Sequence, residues 1–347
     1  MTSPETPAAY RLYRDPESRP AGELTTAELD FDRTLRELWD DRNTKPRGPH
    51  GERTIRFGID GQRRARKGRF AAQLNEGRAR REREERRPLR DGHPVSSPFG
   101  DTIDFLRIME MDPAQRLLEL QAEGRELAIN VNYAPLLPYH FLLIPEPAAR
   151  TPQLLDERAI LDAFLITRLS RADNLFLGFN SRGSWASINH LHFQCVYYED
   201  VGGASSERAL PVLRSPTEPL FDLPGVRVER LAGYPLRGVI LRGADQSRLG
   251  RSAFSFVAIL QGRDIPHVVL VARDRVIVFP KTRDRGALSP TGVGFFEASG
   301  EVFLGERETF EETDERVIER ELAVGSVSAA EFDALVAEWR RGRGDER

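Results

Sequence analysis

The sequence predicts an α+β fold made of two successive halves of antiparallel sheet with flanking helices. Three observations carry this expectation. Strand-like runs follow one another through turns and do not alternate with helices in β-α-β order. The second part of the chain repeats the order of the first, strands, a long helix, then two more strands, without a strong internal sequence repeat. The 347 residues, 39% of them apolar, allow one large or two modest domains with a substantial core.

In chain order, residues 1–24 are Pro-rich and polar and read as a loose arm. Thr25 to Asp41 places Leu29, Phe31, Leu35 and Leu38 at helical spacing, with Thr25 or Thr26 as the cap. Strands are expected at about 53–59 and 68–74. The mixed Arg and Glu run from Arg78 to Arg90 reads as a solvated face, with an Arg or two reaching a phosphate as the alternative. Strands near 103–109, 126–132 and 139–144 precede a helix from Leu155 to about Ser170, and strands at 175–180 and 187–198 close the first half. The second half has strands near 226–232 and 236–242, a helix at 246–262, and strands at 267–273 and 275–280. A strand over Glu297 to Leu304 and helices near 306–322 and 328–341 end the chain. The expected units are 1–50 (arm and helix), 51–205 (first half) and 206–347 (second half with the terminal helices).

Composition narrows the function classes. A net charge of −3 argues against general nucleic-acid binding. The single cysteine, Cys195, rules out a disulfide framework and a Cys-rich zinc site. The first residues lack an apolar export core, and no stretch approaches the roughly 20 apolar residues of a membrane span. A cytoplasmic protein without membrane partners is expected.

The most informative stretch is His190-Leu191-His192-Phe193-Gln194, inside a run rich in β-branched and aromatic residues. On a strand, i, i+2 and i+4 share one face, so His190, His192 and Gln194 line one surface while Leu191 and Phe193 pack on the other. Three readings compete. One is the polar edge of an ordinary surface strand. A second is a metal site, which needs a third ligand from His93, His140 or His267, because Cys195 points to the opposite face. The third, preferred, is nucleophilic catalysis, with His192 attacking a phosphorus and its neighbours positioning the phosphate.

The chain resembles the histidine-triad superfamily and, within it, the GDP-hexose phosphorylases (the GDP-L-galactose and GDP-D-glucose phosphorylase group). Leu177-Gly178-Phe179-Asn180-Ser181-Arg182-Gly183 followed by Ala186-Ser187-Ile188-Asn189-His190-Leu191-His192-Phe193-Gln194 is similar to the segment around that family's nucleophile. Gln73-Leu74-Asn75-Glu76-Gly77-Arg78, Asn132-Tyr133-Ala134-Pro135, His140-Phe141-Leu142-Leu143-Ile144-Pro145, Tyr234-Pro235-Leu236-Arg237-Gly238 and Ile265-Pro266-His267 match further family segments in order, over about residues 65–335. The resemblance implies two fused histidine-triad-like halves, only the first keeping the His-x-His strand.

It also implies roles. His192 attacks the α-phosphorus of a GDP-hexose and forms a guanylyl-imidazole, expelling hexose 1-phosphate; inorganic phosphate then releases GDP. His190 holds the strand or a phosphate oxygen, Ser187 sits where the superfamily contacts the α-phosphate, and Asn180 and Gly183 form the loop feeding the strand, with Asn180 preferred over Gly183 as the substrate contact. Neutral imidazole suits the role, its ordinary pKa of about 6.5 leaving much of it unprotonated near pH 7. Gln194 can donate a hydrogen bond but cannot act as a general acid, so the leaving group must depart as an anion, which a phosphate does readily.

Other positions stay two-sided. Asn75, Glu76 and Arg78 contact sugar or phosphate, or form a turn packed on the first sheet. His140 is a ligand contact or a satisfied structural histidine, and Arg237 a phosphate contact or an ion pair. His267 reads as structural, and Trp185 as packing with base stacking as the alternative. Pro138-Tyr139 departs from the family pattern and places a large residue beside the expected pocket, which leaves the sugar open. No metal or cofactor is required, and a homodimer is left open. Alternatives are a nucleotide-sugar hydrolase, a nucleotidyltransferase with a sugar-phosphate acceptor, or a catalytically silent nucleotide-binding sensor.

Overall fold

A computed structural model describes residues 9–12, 21–24, 30–44, 62–76, 105–122, 124–132, 134–184, 186, 188–201, 209–283 and 292–342. Within residues 1–24, expected as a loose arm, β1 (Ala9–Leu12) and β2 (Ala21–Leu24) are instead strands paired into the large sheet; the first half adds β3 (Arg63–Lys67), β4 (Phe70–Leu74), β5 (Arg116–Ala122), β6 (Arg125–Val131), β7 (His140–Pro145), β8 (Leu175–Asn180) and β9 (Phe193–Tyr197). Its helices are α1 (Phe31–Thr44), α2 (Phe105–Met111) and α3 (Glu157–Leu169). Then come β10 (Thr217–Leu223), β11 (Val226–Leu231), β12 (Val239–Arg242), the long α4 (Gln246–Gly262), β13 (His267–Ala272) and β14 (Arg275–Pro280). The short α5 (Phe295–Ala298), β15 (Glu301–Leu304), α6 (Arg307–Glu312), α7 (Glu315–Val324) and α8 (Ala329–Gly342) complete the described chain.

Twelve strands form one sheet in the order β10-β11-β12-β14-β13-β8-β9-β7-β6-β5-β1-β2, antiparallel at every step. The halves meet at β8 and β13, where Asn180 pairs with Val268 and Gly178 with Leu270. A smaller sheet pairs β15 parallel to β4 and β4 antiparallel to β3, joining segments from either side of residue 205. The buried Glu301 carboxylate fastens it, taking a bidentate pair from Arg64 at 2.8 Å and the Tyr198 hydroxyl at 2.9 Å.

Period-two alternation gives the large sheet two unlike faces. Leu177, Phe179 and Phe193 point to one, where Phe164 of α3 and Phe256 of α4 cover them. Phe176, Val196 and Leu270 point to the other, under Phe70, Phe295 and Phe303. A small third cluster of Phe105, Met109, Leu142, Ile144 and Ile188 extends that second face.

Several expectations need correction. The stretch near 103–109 is helical from Phe105, because Phe105 and Met109, one turn apart, bury together. The strand expected over 187–198 begins only at Phe193. Upstream of it the backbone bonds to the segment at 151–153 and not to a neighbouring strand. Glu297 lies in α5, and the strand follows at 301. The helix expected at 306–322 is two, because Asp314 restarts it by accepting from Val317 N at 2.9 Å. The first helix starts at Phe31, with Asp30 accepting from Arg33 N at 3.2 Å. Thr25, Thr26, the strand expected at 53–59 and the Arg/Glu run lie outside the described residues.

The Tyr139 side chain does not face His190 and His192. It packs on the helical face against Trp39, ring centroids 5.1 Å apart, with the Arg36 guanidinium 5.1 Å from its ring. Its backbone is left-handed at φ 55°, a conformation that favours glycine, so the departure at this position bears on a turn.

Candidate active site

His190 and His192 lie on the segment that leads, after a bend at 188–190, into β9, both buried. Leu191, Phe193 and Cys195 turn to the helical face, so the two imidazoles and Gln194 share the other. His192 donates from Nδ1 to the His190 carbonyl at 2.8 Å. That bond fixes the tautomer and leaves Nε2 with a lone pair. Burial pulls the His192 pKa down to about 4, against the opposing effect of the carbonyl bond and with a smaller push from the neighbouring His190. The ring is therefore neutral at physiological pH.

The first residue of α2 holds the pair. Phe105 N donates to His190 Nδ1 at 3.2 Å, and the Phe105 ring meets the His192 ring edge-on at 4.8 Å.

Gln194, partly exposed and paired with Leu142 in the β7–β9 ladder, is oriented by His140, its diagonal neighbour on that face. Leu136 N donates to His140 Nδ1 at 3.1 Å, which puts the proton on Nε2, and Nε2 donates to the Gln194 side-chain oxygen. The Gln194 oxygen is thus committed, and its amide nitrogen makes no hydrogen bond among the described residues. The Phe296 ring packs edge-on against His140 at 5.0 Å, so α5 of the second half forms a wall beside Gln194. Gly178 makes room for that wall, because a Cβ there would overlap the Phe295 ring.

Asn180 ends β8 on the same face. Its side-chain oxygen is buried without a hydrogen-bond partner among the described residues, and its amide faces Gly294. Gly183 has a left-handed backbone at φ 78° and shapes the turn that follows.

The remaining sequence-derived residues are dispersed. Asn75 N donates to Leu304 O at 2.8 Å and continues the small sheet, while Glu76 lies 3.8 Å from Arg307 in an exposed pair. Arg237 is bound into the second half, its Nη1 donating to Val327 O at 2.9 Å and to Ser326 Oγ at 3.4 Å. His267 lies on the helical face, stacked on Phe179 at 5.9 Å, with Nδ1 donating to Ile265 O at 2.9 Å. Of the third ligands a metal reading requires, His140 is bonded to Gln194, His267 faces away, and His93 lies outside the described residues. Ser187, Arg78 and Trp185 lie outside them as well.

Two buried residues escaped the sequence reading. Lys281 donates from Nζ to Ser184 Oγ at 3.2 Å and to Val293 O, tying the turn after Asn180 to the segment beside Gly294. Burial lowers its pKa to about 7, opposed by the Glu297 charge. Gln153, wholly buried, bonds through its carboxamide to the backbones of both His192 and Asn180. Lysine scarcity, with only Lys45, Lys67 and Lys281 in the chain, was the one available signal for the first; Gln153 had none.

The antiparallel sheet, with two buried histidines and Gln194 on one face and a bare His192 Nε2, defines a protein with a histidine-triad-like fold. The fold is shared with yeast Ap4A phosphorylase Apa2 in complex with Ap4A, at a TM-score of 0.55 and 13% identity, covering 86% of this chain and 98% of that one. The chain belongs to the GDPGP1-like family: residues 30–196 match its N-terminal domain and residues 211–340 its C-terminal domain. It is 25% identical over 295 residues to GDP-L-galactose phosphorylase 1 of Arabidopsis thaliana, covering 77% of this chain and 64% of that protein. It is 30% identical over 216 residues to GDP-D-glucose phosphorylase 1 of Homo sapiens, covering 59% of this chain and 52% of that protein. The chain thus spans under two thirds of the length of either relative.

Proposed function

We propose that the protein is a GDP-hexose phosphorylase, converting a GDP-hexose and inorganic phosphate into hexose 1-phosphate and GDP through a guanylyl-His192 intermediate. The observation that carries this reading is the His192 Nδ1 bond to the His190 carbonyl, which leaves a neutral, correctly oriented Nε2. In the first step Nε2 forms a bond to the α-phosphorus, and the bond from that phosphorus to the bridging oxygen breaks. Its electrons leave with hexose 1-phosphate. The charge that develops on the imidazole is stabilised through Nδ1–H by the His190 carbonyl, which needs no rearrangement to do so.

In the second step a phosphate oxygen attacks the same phosphorus, the nitrogen–phosphorus bond breaks, and GDP leaves with His192 neutral again. Neither step needs a proton donated to a leaving group. That suits Gln194, whose amide nitrogen can hydrogen-bond a phosphoryl oxygen but cannot supply a proton. The names of the curated relatives support GDP-sugars as the substrate class.

Incubation with GDP-glucose, GDP-mannose and GDP-galactose, each with and without inorganic phosphate, tests the reading. The expected product is GDP, formed only when phosphate is present. GMP formed without phosphate would make the protein a hydrolase, and tight nucleotide binding without turnover would make it a sensor; either result refutes the phosphorylase.

A further inference from the structure

The nucleophile segment hangs on a residue outside its own sheet. In the β8–β9 ladder the last pair is Gly178 with Gln194, and continuing that register would set Asn180 opposite His192. The two backbones do not pair there. The Gln153 carboxamide stands between them: its nitrogen donates to Asn180 O at 2.9 Å and His192 O at 3.2 Å, and its oxygen accepts from His192 N at 2.9 Å. It takes the place a peptide unit would occupy in a continuous ladder, with both amide protons used.

The same short segment fixes the adjoining peptides. Leu191 N donates to Thr151 O at 2.8 Å, and Gln153 N donates to Asn189 Oδ1 at 3.1 Å. The peptide joining His190 to Leu191 is therefore held at both ends, by Thr151 on its N–H and by the His192 ring on its carbonyl. The next peptide, from Leu191 to His192, is held by the Gln153 oxygen. With both peptides around Leu191 fixed, the direction of the His192 Cα–Cβ bond and the carbonyl that selects its tautomer are set together. A direct β8–β9 pairing would hold Asn180 and His192 at ladder distance; the inserted carboxamide spreads them apart on the face where their side chains emerge.

We propose that Gln153 is a positioning residue for His192, its carboxamide spacing the ends of β8 and β9 so that Nε2 is aimed at the reacting phosphorus. The proposal rests on His192 being the nucleophile. Gln153 touches no substrate, and its effect belongs in the chemical step and not in substrate affinity.

The test compares wild type with Gln153→Met, which removes the hydrogen bonds at similar length, and Gln153→Glu, which keeps shape and acceptor but loses both donors. Folding is followed by circular dichroism and a cooperative melt, and steady-state rates are expressed per folded molecule. The ¹H–¹⁵N signal of the hydrogen-bonded His192 Nδ1–H, in histidine-labelled protein, reports the ring directly. The expected result is kcat lower by about a hundredfold in both variants, the scale set by misplacing a reacting group by about 1 Å, with KM for the GDP-hexose within about threefold. The Nδ1–H signal should shift or broaden in both. A kcat per folded molecule within threefold of wild type, an unchanged Nδ1–H signal, or a loss residing in KM overturns the proposal. Failure of even the Glu variant to fold would make Gln153 a structural residue and overturn it too. An inactive wild type would refute the phosphorylase reading instead, while the Nδ1–H comparison would still judge the positioning.

Discussion

His140 donates its Nε2 proton to the side-chain oxygen of Gln194, and it can do so because Leu136 N already occupies Nδ1. One backbone amide in the loop before β7 therefore decides which end of the Gln194 carboxamide is left for a ligand. His140 is neither a phosphate ligand by this geometry nor an inert core residue; it sets the polarity of Gln194.

Two substitutions separate those roles. His140→Phe keeps the ring and removes the donor, leaving Gln194 free to rotate. Its expected cost is about tenfold in kcat, in line with 1–2 kcal/mol for a lost buried hydrogen bond. Gln194→Glu replaces the free amide with a carboxylate that repels the substrate phosphates, and should cost about a hundredfold, the scale for removing one donor from a developing anion. Equal, small losses in both would show that the amide of Gln194 plays no part.

Burial lowers the pKa of both His192 and His267 to about 4, below the ordinary 6.5. Between those values the unfolded chain binds protons that the native rings refuse, so the stability these groups allow falls as pH drops from 6.5 to 4 and is level above 6.5. Each ring carries on the order of 3 kcal/mol of this dependence. Urea unfolding of wild type and His192→Gln across that window should diverge, with wild type losing more on acidification; parallel curves would contradict the lowered pKa. The same shift predicts that kcat/KM for the GDP-hexose holds its value down to about pH 5, because that ratio reports the free enzyme. An acid limb centred near 6.5 would mean a solvated nucleophile.

Gly178→Ala places a methyl group inside the Phe295 ring. Either α5 lifts away from the sheet or β8 shifts beneath Gln194, at an overpacking cost of about 1–3 kcal/mol. A urea midpoint unchanged from wild type would show that α5 is not seated as described.

The sequence made the chemistry more legible than the geometry around it. The period of two across His190, His192 and Gln194, with Leu191, Phe193 and Cys195 opposite, holds even though the ladder forms only from Phe193 onward. The strand's true start is hidden because composition cannot tell a paired strand from a segment bonded to a glutamine side chain. The stretch near 103–109 reads as a strand because a short apolar run fits either period, and only the burial of Phe105 with Met109 decides for a helix. Arg237 stayed two-sided in the sequence, a phosphate contact or an ion pair, because its partners in the fold, Ser326 and Val327, lie some ninety residues away in the chain. Gln153 acts through His192, 39 residues on, and Lys281 through Ser184, 97 residues back, contacts no local pattern announces.

Phosphorolysis through a guanylyl-enzyme requires Nε2 of His192 to become covalently attached to the nucleotide. Wild type mixed with GDP-glucose in phosphate-free buffer, quenched in base and digested, should give a guanylyl adduct on the peptide containing His192, by mass spectrometry. The adduct should be labile to acid, as a phosphorus–nitrogen bond is, should be absent in His192→Ala, and should be discharged as GDP when inorganic phosphate is added before the quench. Phosphate-dependent GDP formation with no adduct on His192, or undiminished turnover in His192→Ala, would contradict the account.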